Sequence, residues 1–354
     1  MRYIRFILVI LFHCIKYRKF FKKKKIIFLF SSRFGHFIQN TEITLRELSR
    51  KEINETVFAL DRKIDNLELL RIWEKYDLDF CSYEFGKFLS YFKKKNYFFN
   101  HWNTVPQKKT FIFKKVLKNI INKKKFFDFE YNSITFRDSN YNLINYNNSG
   151  GSFRDTKKKD IKKIITYFNK KKIKIIKVNK SEKKIFGIND YGYNKNYKLD
   201  DALCIINGSK IHIGSSTGLD MAAGIFDKPM INPNPLLGNN LISRLYTFPT
   251  FILPINLKFK KTKKIVPLSK QIEYLKIAEK KKIINHLDYD LQKLFAVYYE
   301  TNTYDEIIST YKEYVIFLKN NLKVNKVLKK YQDKLWSIYP KIYKMRVNNQ
   351  NITT

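Results

Sequence analysis

The sequence predicts an α/β protein made of two parallel-sheet domains that face a cleft, followed by C-terminal helices. Short apolar runs that suit buried parallel strands alternate along the chain with amphipathic, helix-like segments. Two strand-to-helix turns, at residues 32–36 and 214–218, carry small or polar residues whose backbone N–H groups can hold an anion. The length of 354 residues also exceeds the size at which a single core usually stops growing, which favours two domains.

The first domain is predicted over residues 26–128, after a basic and apolar N-terminal segment at 1–25. Its first strand is a continuous apolar run that ends in two serines, and helical spacing follows it. Residues 87–125 are aromatic and basic with weak periodicity, and we interpret them as mostly helical. The predicted strands are 26–30, 56–60 and 79–83, and the predicted helices are 41–51 and 66–76.

The second domain is predicted over residues 129–265, and a helical region over 266–354. Strands that alternate with helices imply right-handed βαβ crossovers and a parallel sheet. Residues 139–152, rich in Asn, Tyr, Ser and Gly, are predicted to form a mobile loop. The predicted strands are 133–136, 173–178, 211–213 and 230–232; the predicted helices are 157–169, 199–206, 219–226, 268–280, 288–299, 304–320 and 331–343.

The charge of the chain is strongly positive. A net charge of +39, from 70 Lys and Arg against 31 Asp and Glu, would ordinarily indicate a polyanionic partner. The lysine runs are scattered between the predicted elements instead of forming one stripe, and no nucleic-acid-binding motif accompanies them. We therefore interpret most of the lysines as solvated surface and expect no specific nucleic-acid partner.

The cysteines and histidines do not suggest a metal site. The 3 cysteines are odd in number, and neither they nor the 5 dispersed histidines have metal-ligand spacing. We expect a reduced, cytoplasmic compartment, thiols without a special role, and no metal held by the protein.

The N-terminal apolar run, residues 6–15, is flanked by basic residues on both sides. It is far shorter than the roughly 20 apolar residues that span a bilayer. It also lacks the small-residue cleavage site of a signal peptide. Two interpretations remain open: an interfacial anchor on an anionic membrane at its cytoplasmic face, or a helix that packs on the body of the protein.

Polar residues follow three predicted strands, at the edge where open α/β sheets bind ligands. In the turn at 214–218, glycines flank three hydroxyl residues at a helix start, which suits an anion; a plain Ser or Thr helix cap is the alternative. Arg137 ends a strand and offers a bidentate guanidinium, although an ordinary surface pair with Asp138 is equally compatible. Arg154 lies near the Gly150–Gly151 pair and is a weaker candidate of the same kind.

The first turn carries candidates for proton transfer. Gly35 allows close approach of the backbone, and His36 has a side chain suited to general acid–base work. Glu42 follows in the first turns of the helix. For each of these residues, a role as a simple helix-start residue is the alternative.

Four motifs in order resemble a family of bacterial glycosyltransferases of the GT-B type. The chain has Arg33, Gly35 and His36 followed by Asn40-Thr41-Glu42, which is similar to the family's Arg-x-Gly-His and Asn-Thr-Glu segments. Its Phe136-Arg137-Asp138 is similar to a His-x-Arg-Asp strand end, with Phe136 in place of the family's His. The turn Gly214-Ser215-Ser216-Thr217-Gly218 is similar to a Gly-[Ser/Thr]-Ser-Gly turn, with one residue more. The order matches over roughly residues 26–320.

The positive charge and the N-terminal apolar run favour a glycan, surface-polysaccharide or lipid-linked acceptor. The resemblance implies two Rossmann-like domains, with a nucleotide-sugar donor held mainly by the C-terminal one and the acceptor mainly by the N-terminal one. It implies no cofactor, because Arg side chains and helix N-termini offset the charge of the leaving diphosphate without a metal. The expected donor-binding residues are Arg137, Arg154, Gly214, Ser215, Ser216, Thr217 and Gly218. The candidate bases are His36, Asp138 and Glu42, in that order, and the other residues of the first turn are Arg33, Gly35 and Asn40.

Two functions of other classes stay open on the sequence. A sugar-nucleotide epimerase of similar fold would use the same cleft without an acceptor. A non-catalytic polyanion-binding or membrane-surface protein would owe its activity to the positive charge, and its binding would collapse with salt.

Overall fold

The structure, a computed structural model, describes residues 18–92, 95–98, 116–121, 124–137, 154–215, 217–236, 250–281 and 289–320, together with the isolated positions 7, 11 and 15. The chain divides into two compact units, residues 1–122 and 123–354. The predicted loop at 139–152 and the predicted helix at 331–343 lie outside the described residues. No helix in the described part of the chain is long and apolar enough to cross a membrane.

Unit 1 contains a four-stranded parallel sheet in the order β3-β2-β1-β4. All described strand pairs in it run parallel, as predicted. Its core lies where the strands meet α4 and the preceding 3₁₀ turn at Arg18–Lys22, with Phe20, Ile26 and Phe85 among its buried members. The strands are β1 Lys25–Phe28, β2 Thr56–Ala59, β3 Phe80–Cys81 and β4 Lys95–Phe98; the helices are α1 Phe34–Glu47, α2 Arg50–Asn54, α3 Leu67–Glu74, α4 Tyr83–Ser90 and α5 Val116–Ile120.

Two predictions for unit 1 need correction. The helix predicted at 41–51 begins at Phe34, inside the predicted turn at 32–36, and ends at Glu47. Ser49 then forms a capping box with Glu52 and starts a second helix, which explains the break. The segment 87–125, predicted mostly helical, contains the strand β4, because Lys95–Phe98 pairs with β1 in parallel register.

Unit 2 contains a six-stranded parallel sheet in the order β10-β9-β8-β5-β6-β7 and a two-stranded antiparallel sheet of β11 and β12. Every predicted strand and helix of the Rossmann-like part, from 133 to 232, is found within a few residues of its predicted bounds. The strands are β5 Asn132–Ile134, β6 Ile175–Lys177, β7 Asn189–Asp190, β8 His212–Ile213, β9 Met230–Pro233, β10 Thr250–Leu253, β11 Asn256–Phe259 and β12 Val297–Glu300; the helices are α6 Lys158–Lys170, α7 Leu199–Gly208, α8 Asp220–Ile225, α9 Leu268–Lys280, α10 Tyr289–Leu294 and α11 Tyr304–Lys319.

The C-terminal helices were predicted in part. Helices α9 and α11 are confirmed, and Thr303 caps α11 through a capping box with Glu306. The helix predicted at 288–299 ends at Leu294, and β12 follows it. Ala296 takes a left-handed φ of 49°, which breaks the helix, and the next four residues pair antiparallel with β11 and bury Val297. The side chains of α11 that face the sheet are buried in the core of unit 2: Ile307, Ile308, Tyr311, Tyr314 and Phe317.

Candidate functional site

The strand order of unit 2 defines where a ligand would bind. From the central strand β5 the chain proceeds to β6 and β7 on one side, then returns to β8, β9 and β10 on the other. This is the doubly wound order, and such sheets bind ligands at the carboxyl ends of the strands where the direction of winding reverses. In unit 2 that point lies between β5 and β8. The structure therefore places Arg137, which follows β5, and the turn at 214–218, which follows β8, at the same edge of neighbouring strands.

The turn after β8 is occupied by a carboxylate of the chain itself. The backbone N–H groups of Ser215 and Thr217 donate to Asp220 Oδ2, at 3.2 and 2.6 Å. The hydroxyl of Thr217 donates to the other oxygen of Asp220 at 3.0 Å. The prediction that these backbone groups are free to hold a phosphate is therefore wrong for Ser215 and Thr217, because the turn folds around Asp220. Ser216 lies outside the described residues.

Gly214 is required by this arrangement. A Cβ added at Gly214 would lie 2.8 Å from Asp220 Cγ, closer than non-bonded atoms tolerate. The glycine thus lets the carboxylate of Asp220 approach the end of β8. The prediction from the sequence was that it lets a ligand approach. Gly218, at the other end of the turn, accepts the backbone N–H of Met221 at 3.2 Å.

Asp220 also ends a buried network of hydrogen-bonded side chains below the turn. His212 Nε2 lies 3.0 Å from Asp220 Oδ1 and, since a carboxylate only accepts, Nε2 carries the proton. His212 Nδ1 lies 2.8 Å from the hydroxyl of Ser133. Thr135 donates to Asp220 at 2.7 Å. The order Ser–His–Asp matches that of a hydrolase triad, but the three buried side chains bond to one another and to the turn, so this network fixes the shape of the turn.

This buried hydrogen-bond network was not predicted from the sequence. Asp220 falls at the first position of α8 and looks like an ordinary acidic residue in a helix's first turn. The signal that could have found it is its place seven residues after the end of β8, within reach of the glycine-flanked turn.

Arg137 is largely buried at the carboxyl end of β5, with a side chain that is 11% exposed. Its Nε lies 3.4 Å from Asp155 Oδ1, a long ion pair whose carboxylate is 25% exposed. Burial lowers the pKa of the guanidinium, while the charges of Asp155 and then Asp220 act in the opposite direction. Arg154, next to Asp155, is half-buried. Asp138 lies outside the described residues.

The neighbouring strand β6 ends in groups that are already paired. The side chain of Asn179 accepts the N–H of Phe136 at 3.0 Å and donates to the carbonyl of Phe136 at 2.9 Å, which extends the pairing of β5 and β6. Lys177 is buried and donates to Asp190 at 3.0 Å, so it is not one of the solvated lysines that the sequence analysis expected. These residues brace the carboxyl end of β6.

In unit 1, the turn after β1 has a similar construction. The N–H of Ser32 donates to Asp61 Oδ2 at 3.0 Å, and the N–H of Asp61 donates to the hydroxyl of Ser31 at 2.8 Å. His36 is half-buried in the first turn of α1, with its ring edge-on to Phe30 at a centroid distance of 5.0 Å.

The other residues predicted for this turn differ in exposure, and Gly35 and Asn40 lie within α1. Arg33 is exposed and begins α1 as its N-cap residue, and Gly35 is half-buried. Asn40 is fully buried, and neither atom of its side-chain amide has a hydrogen-bond partner in the described part of the chain.

Glu42 has a structural role. Its carboxylate accepts the backbone N–H groups of Val116 and Leu117, at 3.0 and 2.7 Å, at the start of α5. It also pairs with Arg46 Nε at 2.5 Å, and its side chain is 1% exposed. Because both oxygens accept bonds and neither reaches solvent, we remove Glu42 from the candidate bases.

Side chains that could bind a metal ion do not cluster in the described part of the chain. Within it, no group of three or more His, Cys, Asp and Glu side chains has the geometry to hold an ion. A reaction that proceeds without metal stays a prediction.

Comparisons with known proteins gave matches of structure only. No protein-family model and no curated protein matches the chain. The iron-containing dodecameric glycosyltransferase TibC of enterotoxigenic E. coli H10407 is 10% identical with a TM-score of 0.42, over 64% of this chain and 63% of that one. TibC in complex with ADP-D-β-D-heptose is 9% identical with a TM-score of 0.44, over 64% and 61%. E. coli heptosyltransferase WaaC with ADP is 8% identical with a TM-score of 0.37, over 74% and 100%.

The match thus spans less than two thirds of the length of the TibC chains. At these TM-scores we infer neither fold nor activity from the three likenesses. The two parallel sheets and their strand orders establish the α/β class of both units directly.

Proposed function

We propose that this protein is a glycosyltransferase that moves a sugar from a nucleotide-sugar donor to a glycan, surface-polysaccharide or lipid-linked acceptor. The observation that carries the proposal is the position of Arg137, a buried cation at the switch point of a doubly wound sheet, beside the turn after β8. Nucleotides bind at such switch points, and a guanidinium offers the bidentate donors that a phosphate accepts.

The reaction needs charge stabilisation on the leaving nucleoside diphosphate. Arg137 would supply it without a metal, as the resemblance of the sequence motifs implies. Because Asp220 fills the turn amides of Ser215 and Thr217, the diphosphate would rely on guanidinium groups more than on that turn. Arg154 is the second guanidinium near this edge of the sheet.

A base must accept the proton of the acceptor if the reaction inverts the sugar. His36 is the first candidate in unit 1, since it is half-buried and not enclosed like Glu42. Asp138 remains the second candidate. A His36→Ala variant that keeps full turnover would remove His36 from this role.

Peripheral contact with an anionic membrane at its cytoplasmic face is a further part of the proposal. Ile7, Leu11 and Ile15 follow one another at helical i, i+4 spacing and are 54%, 53% and 82% exposed. An exposed apolar stripe flanked by basic residues is typical of an interfacial helix. Co-sedimentation with anionic vesicles, which should fall when Leu11 is replaced by Asp, tests this contact.

Donor binding is the first experiment. We expect one nucleotide class, among UDP-, GDP-, ADP-, CMP- and dTDP-sugars, to raise the melting temperature of the protein. Arg137→Ala should abolish the shift, and Arg137→Lys should reduce it, because Lys keeps the charge but not the bidentate geometry. Arg62→Ala is the control, since Arg62 is an exposed Arg that pairs with Glu84 in unit 1.

The same protein and ligands distinguish the glycosyltransferase from its two alternatives, a charge-driven binding protein and an epimerase. Shifts by every polyanion alike that vanish with salt would instead favour a charge-driven binding protein. Conversion of a nucleotide sugar incubated alone, without an acceptor, would favour the epimerase.

A further inference from the structure

A second cluster of polar residues lies at the same edge of the sheet, one strand beyond the turn. Asn234 follows the carboxyl end of β9, and β9 pairs in parallel with β8. From that register, Asn234 is level with the turn at 214–218. Neighbouring strands are about 4.8 Å apart, so β9 lies about 10 Å from β5, and a nucleotide sugar whose diphosphate is held at Arg137 is long enough to reach the cluster.

Asn234 and Asn302 hold each other in place. The N–H of Asn302 donates to Asn234 Oδ1 at 2.6 Å, and the N–H of Asn234 donates to Asn302 Oδ1 at 2.9 Å. Asn302 also donates through Nδ2 to the carbonyl of Pro254 at 2.9 Å. These bonds fix the orientation of the Asn234 amide, so that its Nδ2 has one defined direction.

Two polar atoms of this cluster have no partner. Within the described part of the chain, neither Asn234 Nδ2 nor the hydroxyl of Thr301, the residue before Asn302, makes a hydrogen bond. Asn234 is 0% exposed and Thr301 is 3% exposed. A buried polar atom without a partner costs roughly 1–3 kcal/mol, so such atoms call for an explanation.

Asn234 also has an unusual backbone. Its φ of 62° is in the left-handed region, which Gly adopts freely and Asn adopts more readily than most other side chains. A Gly would therefore suit this backbone, and an apolar side chain at 301 would remove the unpaired hydroxyl. The chain instead keeps a buried amide and a buried hydroxyl near the carboxyl end of β9.

We infer that Asn234 and Thr301 bind a hydroxyl group of the nucleotide-sugar donor, either on its transferred sugar or on its ribose. The pair offers an acceptor as well as donors, which suits a hydroxyl group, whereas an ionised diphosphate oxygen only accepts. The amide of Asn234 donates, and the Thr301 hydroxyl both donates and accepts, which matches a sugar hydroxyl. This inference rests on the proposed function, because it assigns a subsite of the same donor.

A buried water molecule is the competing explanation, because a water could satisfy both atoms. The two explanations differ in what happens when the Thr301 hydroxyl is replaced by a methyl group of equal size. If the hydroxyl serves a ligand, its loss leaves the stability of the free protein unchanged or higher and weakens donor binding.

The test is Thr301→Val, with the melting temperature of the free protein and the dissociation constants of the nucleoside diphosphate and of the nucleotide sugar as readouts. We expect an unchanged or raised melting temperature and a three- to tenfold weaker binding of the nucleotide sugar, about the value of one hydrogen bond. Weaker binding of the nucleotide sugar alone assigns the contact to the transferred sugar, and equally weaker binding of both ligands assigns it to the ribose.

Thr56→Val in unit 1 is the matched control. The hydroxyl of buried Thr56 donates to the carbonyl of Glu52 at 2.6 Å, so its loss should lower the melting temperature and leave donor binding unchanged. Unchanged binding in Thr301→Val, or a fall in its melting temperature like that of Thr56→Val, overturns the inference. If Arg137→Ala loses binding while Thr301→Val keeps it, the proposed function stands without this subsite; if the wild-type protein binds no nucleotide, both fail.

Discussion

Thr217 and Asp220 are joined twice: the backbone N–H of Thr217 lies 2.6 Å from one carboxylate oxygen of Asp220, and its hydroxyl lies 3.0 Å from the other. With the N–H of Ser215, the turn after β8 closes around a negative charge of the chain's own. The turn is thereby shaped before any ligand arrives. A cation at this edge is the guanidinium of Arg137, which the proposed function uses to attract a phosphate.

The first prediction concerns the carboxylate of Asp220. Asp220→Ala leaves His212, Thr135 and the turn amides without their buried acceptor, and we expect a loss of roughly 3–5 kcal/mol in the free energy of unfolding. Urea denaturation of the full chain measures it. Asp128→Ala, at a carboxylate that is 98% exposed, is the control and should change stability by less than about 0.5 kcal/mol. A similar loss in both variants would contradict the role of Asp220.

The second prediction compares two glycines. A Cβ at Gly192 would lie 1.8 Å from the backbone carbonyl oxygen of Asn179, and a Cβ at Gly214 would lie 2.8 Å from Asp220 Cγ. Backbone yields less than a side chain, so Gly192→Ala should lower the melting temperature more than Gly214→Ala. We expect Gly214→Ala to cost about 1–3 kcal/mol. The opposite order of melting temperatures would show that the turn after β8 is the more rigid of the two sites.

The third prediction is a dependence of stability on pH at Glu300. Hydrogen bonds from Lys258 and Lys157 lower the pKa of this carboxyl to about 2. A carboxyl whose pKa is lowered in the folded state stabilises the fold above its ordinary pKa of 4.5, and this contribution is lost as the pH falls towards 2. Glu300→Gln should therefore be less stable than the wild type near neutral pH, by no more than ~1 kcal/mol since the side chain is partly exposed.

Unfolding of Glu300→Gln and wild type, measured between pH 7 and pH 2.5, checks this prediction, and the two stabilities should converge at the acidic end. Glu182→Gln, at an exposed position, serves as the control and should follow the wild type throughout. A constant difference at every pH would show that the charge of Glu300 is not its source.

The sequence predicts those structural features that depend on neighbouring residues, and not those that depend on residues far apart in the chain. The run at Ile26–Phe28 predicts β1 because a short, continuous apolar stretch between polar residues is typical of a buried parallel strand. Lys177 resembles the other lysines of the chain, and only the return of residues 189–190 to pair with β6 places Asp190 beside it in the interior. Val297–Glu300 is similarly ambiguous, because its strand character comes from pairing with residues some forty positions earlier.

In the candidate site, too, some features are predictable from the sequence and others are not. Arg137 and the turn at 214–218 follow separate strands, and the alternation of strands and helices was enough to predict a common edge. The sequence did not reveal which group occupies the turn, because that depends on the side chain of Asp220 folding back over it. The structural role of Glu42 is likewise not predictable from the sequence, because its contacts to Val116 and Leu117 cross more than seventy residues.

The fourth prediction follows from the ion pair of Arg137 and rests on the proposed function. Asp155 faces the guanidinium at 3.4 Å and is 25% exposed, so an incoming diphosphate must compete with it. Asp155→Asn removes that competition, and we expect nucleoside diphosphate to bind about two- to tenfold more tightly, the equivalent of ~1 kcal/mol for a partly exposed pair. Calorimetric titration measures the affinity, with Asp128→Asn as a control that removes one negative charge at an exposed site of unit 2. Equal tightening in both variants would indicate a general effect of net charge, whereas tightening in Asp155→Asn alone would locate the diphosphate at Arg137.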